Sequence, residues 1–399
     1  MPSNETAVEF KGSQGPLSGI LHRPPGTLRG TAVFAHCFTC SKDLRPVRVI
    51  SRALARYGIA TLRFDFTGLG ESSGEFARTT FSSNVSDLLR AASFLEETLT
   101  GPSILVGHSL GGAAVLAAAP QIASVKAVST IGAPADPAHV RHLFADREAD
   151  IEADGQADVL LAGRTITIGK EFLDDLGTHT SEAKLGALKR ALLVFHSPQD
   201  NIVGIDNARR IYEAARHPKS FVSLDGADHL LGRTSDAQYV ADVLASWAGR
   251  YVAEEGAPTE KGEVIVEGRE GFTQQVRART HQVIADEPTR MGGADLGPSP
   301  YELLLAALGT CTSMTLRMYA DRKEWPLEAV RVSLRHGREH AKDCEECTKK
   351  TGHIDVLTRT IEIVGDLTEE QRARMMEIAD RCPVHRTLEN EIRIDTSRA

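Results

Sequence analysis

Residues Ser103-Ile104-Leu105-Val106-Gly107-His108-Ser109-Leu110-Gly111-Gly112 decide how this chain is read. Ser103 to Val106 has the make-up of a short buried strand, and Leu110 to Ala119 is Ala-rich and helix-forming. Between them stands G-x-S-x-G, a strand-to-helix turn that can present a serine as a nucleophile. A serine on such a strained turn leaves no room for bulky neighbours, and here Gly107, Gly111 and Gly112 surround it. A small-residue turn alone often has no catalytic role. A strand before it, a helix after it and two partners downstream point to nucleophilic chemistry at Ser109.

Those partners are expected in the order serine, acid, histidine. Asp200 closes Leu192-Leu193-Val194-Phe195-His196-Ser197-Pro198-Gln199-Asp200, an apolar strand ending in a polar turn, as an acid-bearing loop requires. His229 follows the short strand Phe221 to Leu224 and precedes a helical pattern over Asp236 to Tyr251. In this reading His229 takes the Ser109 proton, while Asp200 holds the imidazole in the right tautomer. Asp225, Asp228 and Asp206 are rival carboxylates. The first two stand too near His229 in sequence to reach it easily from a separate strand end. Alone, His229 would read as a surface-loop histidine.

An oxyanion hole needs two backbone N–H groups aimed at the developing charge. Leu110, directly after the nucleophile, is one. The other is expected from the loop after Thr31 to Ala35, in His36-Cys37-Phe38-Thr39-Cys40-Ser41-Lys42-Asp43, with Phe38 as donor. On these residues, and on Phe64-Asp65-Phe66-Thr67-Gly68-Leu69-Gly70-Glu71-Ser72-Ser73-Gly74, residues 1 to about 250 resemble the α/β-hydrolase superfamily. Cys37 stands where that superfamily usually has a glycine. Cys37 and Cys40 read as two small residues packing the loop, since a metal there would block the chemistry.

At 399 residues the chain is too long for one ordinary core, so two domains are expected. It is 41% hydrophobic and 25% charged, a globular composition, and its formal net charge of −8 argues against general nucleic-acid binding. No signal peptide is visible at Met1 to Thr6, and no uninterrupted apolar run reaches membrane-spanning length. The expectation is a cytoplasmic protein with no membrane and no nucleic-acid partner. Its six cysteines are then read as reactive, metal-binding or reduced.

Strand-like and helical runs alternate from Leu17 to Tyr251, which predicts an α/β-hydrolase domain over 1–251 with a mostly parallel sheet covered on both faces. An insert at about 136–190 is expected to be a small cap shaping the acyl pocket, with an inert packing insertion as the alternative. The Gly/Pro-containing segment 252–262 reads as a linker, and 263–399 as a second, smaller α+β domain.

Two cysteines of that second domain have distinctive settings. Cys311 lies in Gly297-Pro298-Ser299-Pro300-Tyr301-Glu302-Leu303-Leu304-Leu305-Ala306-Ala307-Leu308-Gly309-Thr310-Cys311-Thr312-Ser313-Met314. Pro300 is a good first residue of a helix that is apolar on all faces, which predicts a buried central helix. Cys382 lies in Ile378-Ala379-Asp380-Arg381-Cys382-Pro383-Val384-His385-Arg386-Thr387-Leu388, at a helix end. Together they resemble the osmotically inducible protein C (OsmC) family, across nearly all of 263–399. The order of the two domains resembles known hydrolase–OsmC fusions.

The resemblance implies a peroxidatic Cys311 resolved by Cys382, acting on organic hydroperoxides with a dithiol reductant. A thiolate there needs a nearby cation, for which Arg277 and Arg279 are the sequence's candidates. Glu302, one residue displaced from the family's peroxidase pattern, would orient it. A buried core cysteine, in a domain that only dimerises or scaffolds, is the alternative. The family also implies a homodimer through this domain.

Cys344-Glu345-Glu346-Cys347, with His336, His340 and His353 nearby, makes zinc conceivable, but one CxxC without a second pair is weak, and no metal is expected. The leading expectation is a carboxylesterase acting on a small-molecule ester with no cofactor.

Overall fold

The computed structural model describes residues 5–38, 40–161, 164–179, 185–252, 259–268, 271–340 and 353–398. The chain forms two compact units, Met1–Gly271 with Arg277–His281, and Phe272–Val276 with Gln282–Ala399. The first runs past the expected end at Tyr251. Residues 253–258 of the expected linker lie outside the described residues.

The first unit is built on β1 (Glu5–Lys11), β2 (Pro16–His22), β3 (Gly30–Ala35), β4 (Ile59–Phe64), β5 (Ile104–His108), β6 (Ala127–Ile131), β9 (Ala191–His196) and β10 (Lys219–Ser223). They form one sheet in the order β1-β2-β4-β3-β5-β6-β9-β10. β1–β2 and β2–β4 are antiparallel, and every pair from β4 to β10 is parallel. β4, β5, β6 and β9 are buried along their whole length, as strands covered on both faces must be.

Alternate residues serve opposite faces. Val33, Leu105, Leu192 and Val194 join one core with the helices α2 (Phe81–Thr98) and α3 (Leu110–Ala118). Phe34, Ile104, Leu193 and Phe195 join the other with α1 (Arg45–Arg56) and a helix over Thr234–Ala248. Sequence reading missed β1, whose mixed apolar and charged residues suit an exposed edge strand.

The insert carries α4 (Glu148–Asp154), an antiparallel hairpin of β7 (Gln156–Leu161) and β8 (Arg164–Gly169), and α5 (Lys170–Leu176). Phe144, Ile151, Ile168, Phe172 and Leu176 bury it in the α2/α3 core. With α6 (Asp206–Ala214), the helix at Thr234–Ala248 is α7.

The C-terminal region holds β11 (Val264–Gly268), β12 (Gln274–Ala278) and β13 (His281–Ala285), and the antiparallel pair β14 (Leu327–His340) and β15 (His353–Gly365). The helices α8 (Pro300–Arg322), α9 (Glu369–Ala379) and α10 (Pro383–Glu389) follow the α+β expectation. β12 and β13 are joined by a turn at Arg279, where φ is 55°.

α8 corrects one expectation. It is not buried all round: Leu308, Gly309, Thr312, Leu316 and Ala320 form one buried stripe, while Tyr301, Leu304, Met314 and Met318 are exposed. By length and composition alone it is apolar enough to cross a membrane. Within its own unit its buried stripe packs with Leu327, Leu367, Met375 and Ile378. A helix apolar all round needs cover on every side, and this unit supplies it on one.

Candidate active site

Ser109 sits at the tip between β5 and α3 with φ 54°, a left-handed conformation rare for a residue with a side chain. Its flanks must be glycine. A Cβ on Gly107 would meet the Gly111 carbonyl oxygen at 2.3 Å, and one on Gly111 would meet the His36 oxygen at 2.4 Å. The Ser109 N–H donates to the Ile131 oxygen at 2.9 Å, which ties the turn to the end of β6.

The loops after β9 and β10 bring Asp200 and His229 to this serine. His229 Nε2 and Ser109 Oγ are 3.0 Å apart, and His229 Nδ1 and Asp200 Oδ2 are 2.7 Å apart. Asp200 Oδ1 accepts the N–H groups of Ile202 and Val203, each at 2.9 Å. Burial works to raise the Asp200 carboxyl. The His229 hydrogen bond and charge, with those two N–H groups, outweigh it and hold Asp200 below the usual carboxylate range. The rival acids are engaged elsewhere. Asp228 accepts from the backbone of Leu230 and Gly232, Asp225 from Ser223, and Asp206 from Arg209.

Two histidines that sequence reading left aside frame this line. His108 Nε2 lies 2.7 Å from the His229 carbonyl oxygen, and burial, then the charge of His229, pushes its pKa down to about 3. His196 Nε2 lies 2.6 Å from the Val203 oxygen, beside Asp200, and burial lowers its pKa too. Both are held neutral, so neither sets a second cation against His229.

Leu110 opens α3, where N–H groups lack an intrahelical acceptor, and so leaves one donor beside Ser109. Phe38 lies in the loop after β3, its ring stacked on Phe172 of α5 at 5.1 Å and 5.5 Å from Phe76. Thr39 lies outside the described residues. Cys37 and Cys40 are joined by a disulfide, which corrects their reading as two packing residues. The Cys40 N–H also donates to the Cys37 oxygen at 3.1 Å, so the turn brings the two sulfurs together. Beyond it, buried Lys42 anchors the loop: its N–H and Nζ reach the two oxygens of buried Asp65 at 2.6 and 2.8 Å. Burial lowers the Lys42 pKa, but Asp65 and Glu71 overcome this and raise it.

In the second unit the Val384 N–H points to Cys311 Sγ at 3.5 Å, and the His385 N–H to Cys382 Sγ at 3.3 Å. Adjacent backbone groups thus contact both sulfurs. The candidate cations Arg277 and Arg279 belong to the first unit, where Arg277 lies 3.7 Å from Glu267 on β11 and the Arg279 N–H donates to Thr259. Within the second unit, Arg359 on β15 donates to Thr312 Oγ1 at 2.8 Å, the Ala379 oxygen at 3.2 Å and Asp380 at 2.7 Å. Thr312 Oγ1 is in turn 3.6 Å from Cys382 Sγ.

Among the described residues Glu302 forms no ion pair with an arginine. It forms a capping box with Ser299, whose backbone hydrogen bond lowers its pKa. Cys344 and Cys347 lie outside the described residues. His336 is paired with Asp355 at 2.9 Å, and no group of three metal-ligating side chains occurs among the described residues.

A mostly parallel sheet with a serine on the turn after β5 defines an α/β-hydrolase. The alpha/beta hydrolase family model matches residues 32–257 and the OsmC-like protein model residues 292–397. The chain therefore belongs to the alpha/beta hydrolase family, and it continues into an OsmC-like domain.

The esterase domain of a Rhodothermus marinus protein is 49% identical, with TM-score 0.52, covering 62% of this chain and 98% of that one. Mouse alpha/beta hydrolase domain-containing protein 10 shares the fold at 21% identity and TM-score 0.51, covering 61% of this chain and 99% of that one. The mouse mitochondrial palmitoyl-protein thioesterase ABHD10 is 45% identical over 62 residues, which is 16% of this chain and 20% of that protein. The match thus spans about a fifth of that curated relative.

Proposed function

We propose that the first unit is a serine carboxylesterase. The observation that carries this is the unbroken hydrogen-bonded line from Ser109 through His229 to Asp200. Ser109 Oγ attacks the ester carbonyl while His229 Nε2 takes its proton. The N–H groups of Phe38 and Leu110 receive the oxyanion, and Asp200 stabilises the imidazolium. His229 then gives the proton to the leaving alcohol. Water, activated by the same histidine, releases the acid and restores Ser109. Phe38, Phe76 and Phe172 offer an aromatic wall for an acyl group, which makes the insert the cap of the site. The 49% identical esterase domain supports the ester assignment.

The test is a series of acyl esters of rising chain length, with a palmitoyl thioester included because one relative's name refers to that chemistry. Wild type should turn over esters and Ser109→Ala should not. Equal turnover in the variant sinks the assignment.

A second reading concerns the OsmC-like domain, and the approach of Val384 and His385 to the two sulfurs favours it. The Cys311 thiolate attacks an organic hydroperoxide, the O–O bond breaks, the alcohol leaves and a sulfenic acid remains. Cys382 displaces water to close a disulfide, and a dithiol restores both thiols. Peptide mapping after stoichiometric peroxide should find the Cys311–Cys382 crosslink. Two free thiols with no peroxide consumed would leave the domain a dimerisation module. The exposed side of α8 supports a homodimer through this domain, checked by light scattering.

A further inference from the structure

The site chemistry leaves unused a group of cations at the opposite edge of the hydrolase sheet. Ser109 follows the carboxyl end of β5. The segments entering β6, β9 and β10 lie at the amino ends of the same parallel strands, about 16 Å away for strands of this length. Pairing aligns these segments: the Ala191 N–H donates to the Lys126 oxygen at 3.0 Å and the Leu192 N–H to the Pro218 oxygen at 3.0 Å. Lys126, Arg190 and His217 therefore stand side by side at neighbouring strand entrances, with Lys189 and Arg216 next to them.

All five line one concavity of about 510 Å³. Its other lining residues are Val125, Ala191, Pro218 and Tyr251, so no carboxylate lines it. Among the described residues none of these five basic groups takes part in an ion pair, in a chain whose net charge is −8. Arg190 Nε is buried and finds no acceptor among the described residues.

Like charges gathered in a hollow raise its potential and attract an anion. A solvated lysine fringe would need neither a concavity nor an arginine nitrogen left without a partner. Two guanidinium forks and two ammonium groups match the oxygens of a phosphate. The hollow exceeds what one phosphate fills and falls in the usual range of small-molecule sites, about 300–1,000 Å³. Val125, Pro218 and the Tyr251 ring supply an apolar wall for an organic part.

We propose that this hollow binds a small organic phosphate carrying at least two negative charges, at a site separate from Ser109. Such phosphate could belong to a soluble molecule or to a lipid headgroup; a hollow of this volume, with room for a whole small molecule, favours the soluble one.

The test uses the full chain and calorimetric titration with pyrophosphate and with ADP, and, in parallel, sedimentation with phosphatidylglycerol vesicles. Saturable binding of pyrophosphate or ADP that weakens with salt is expected. The double variant Lys126→Glu/Arg216→Glu should lower that affinity about tenfold or more, while its ester hydrolysis, read on the same preparation, shows that it is folded. Three results overturn the proposal: no saturable binding of either soluble anion, binding that the double variant keeps, or vesicle binding alone.

Discussion

Ser109 and Cys311, the side chains proposed to react, stand in two differently built regions. Ser109 is 7% exposed, strained at φ 54°, and its partners come from two other strand ends. Asp200 and His229 are in turn held by backbone N–H groups and by His108. Cys311 lies in an unstrained helix, half-exposed, on an element with one side unburied. The line from Ser109 through His229 to Asp200 lies within one unit, because a large sheet covered on both faces can enclose polar groups. The thiol site stands in a small unit with a thin core, where one helix stripe and a handful of residues carry the packing.

The sharpest way to break this contrast is Ser109→Ala. It should lower ester kcat by about 10⁴-fold or more, as loss of a triad member does, with the melting temperature little changed. A small kcat effect would mean that the polar line is only structural. The thiol region should show no such single-residue dependence for ester turnover, so Cys311→Ala should keep it.

Next in size is the anchor under the oxyanion loop. Lys42→Met leaves Asp65 buried without its cation, and breaking a buried pair costs about 3–5 kcal/mol. Denaturant unfolding of the hydrolase transition should record that loss. An unchanged midpoint would show the pair to be dispensable.

Acid should separate the units further. His22, pushed down to about 4, and His108, pushed down to about 3, are each depressed first by burial. His22 is faced by Glu5, Arg63, Arg52 and Arg48, and His108 by His229, Asp200 and His36. Both stay neutral in the fold, while the unfolded chain protonates them below about pH 6.5, so the unfolded state binds more protons. Stability is therefore full above that pH and falls as pH drops toward the folded values, by about 1.4 kcal/mol per unit for each histidine. The Asp200 contribution, present above its unfolded pKa, is lost only at lower pH still. Melting curves from pH 7 to 4 on wild type and His108→Gln read the slope. An equal slope in both would remove His108 from the account.

The smallest effect sharpens the other side. Glu302→Ala removes one arm of the capping box, so it should lower the melting temperature only slightly and leave any peroxide consumption intact. Loss of peroxide consumption without loss of stability would return Glu302 to the thiol chemistry.

Several of these features were readable before any coordinates. The apolar runs Ala60 to Phe64 and Ala191 to His196 announce strands buried on both faces, and G-x-S-x-G after a strand marks the turn. Asp200 and His229 follow from strand ends. Arg359 was hidden: it belongs to a strand 47 residues from Thr312, and one arginine in an alternating strand looks like any other. The Lys42–Asp65 pair joins two loops 23 residues apart, and an isolated lysine in sequence reads as exposed. The Cys37–Cys40 bond depends on how the loop turns, which spacing alone leaves open.

By itself the sequence determined the periodicities, the nucleophilic turn and the order of its partners, because these rest on local sterics and on which residues can be buried. The tertiary structure decided everything that depends on which distant segments meet. It neutralised His108 and His196 by burial, set Arg359 on Thr312, turned Glu302 into a cap and lined up five basic residues across three strand entrances. Those outcomes are sums of desolvation and pairing between groups far apart along the chain, and no local pattern carries that information.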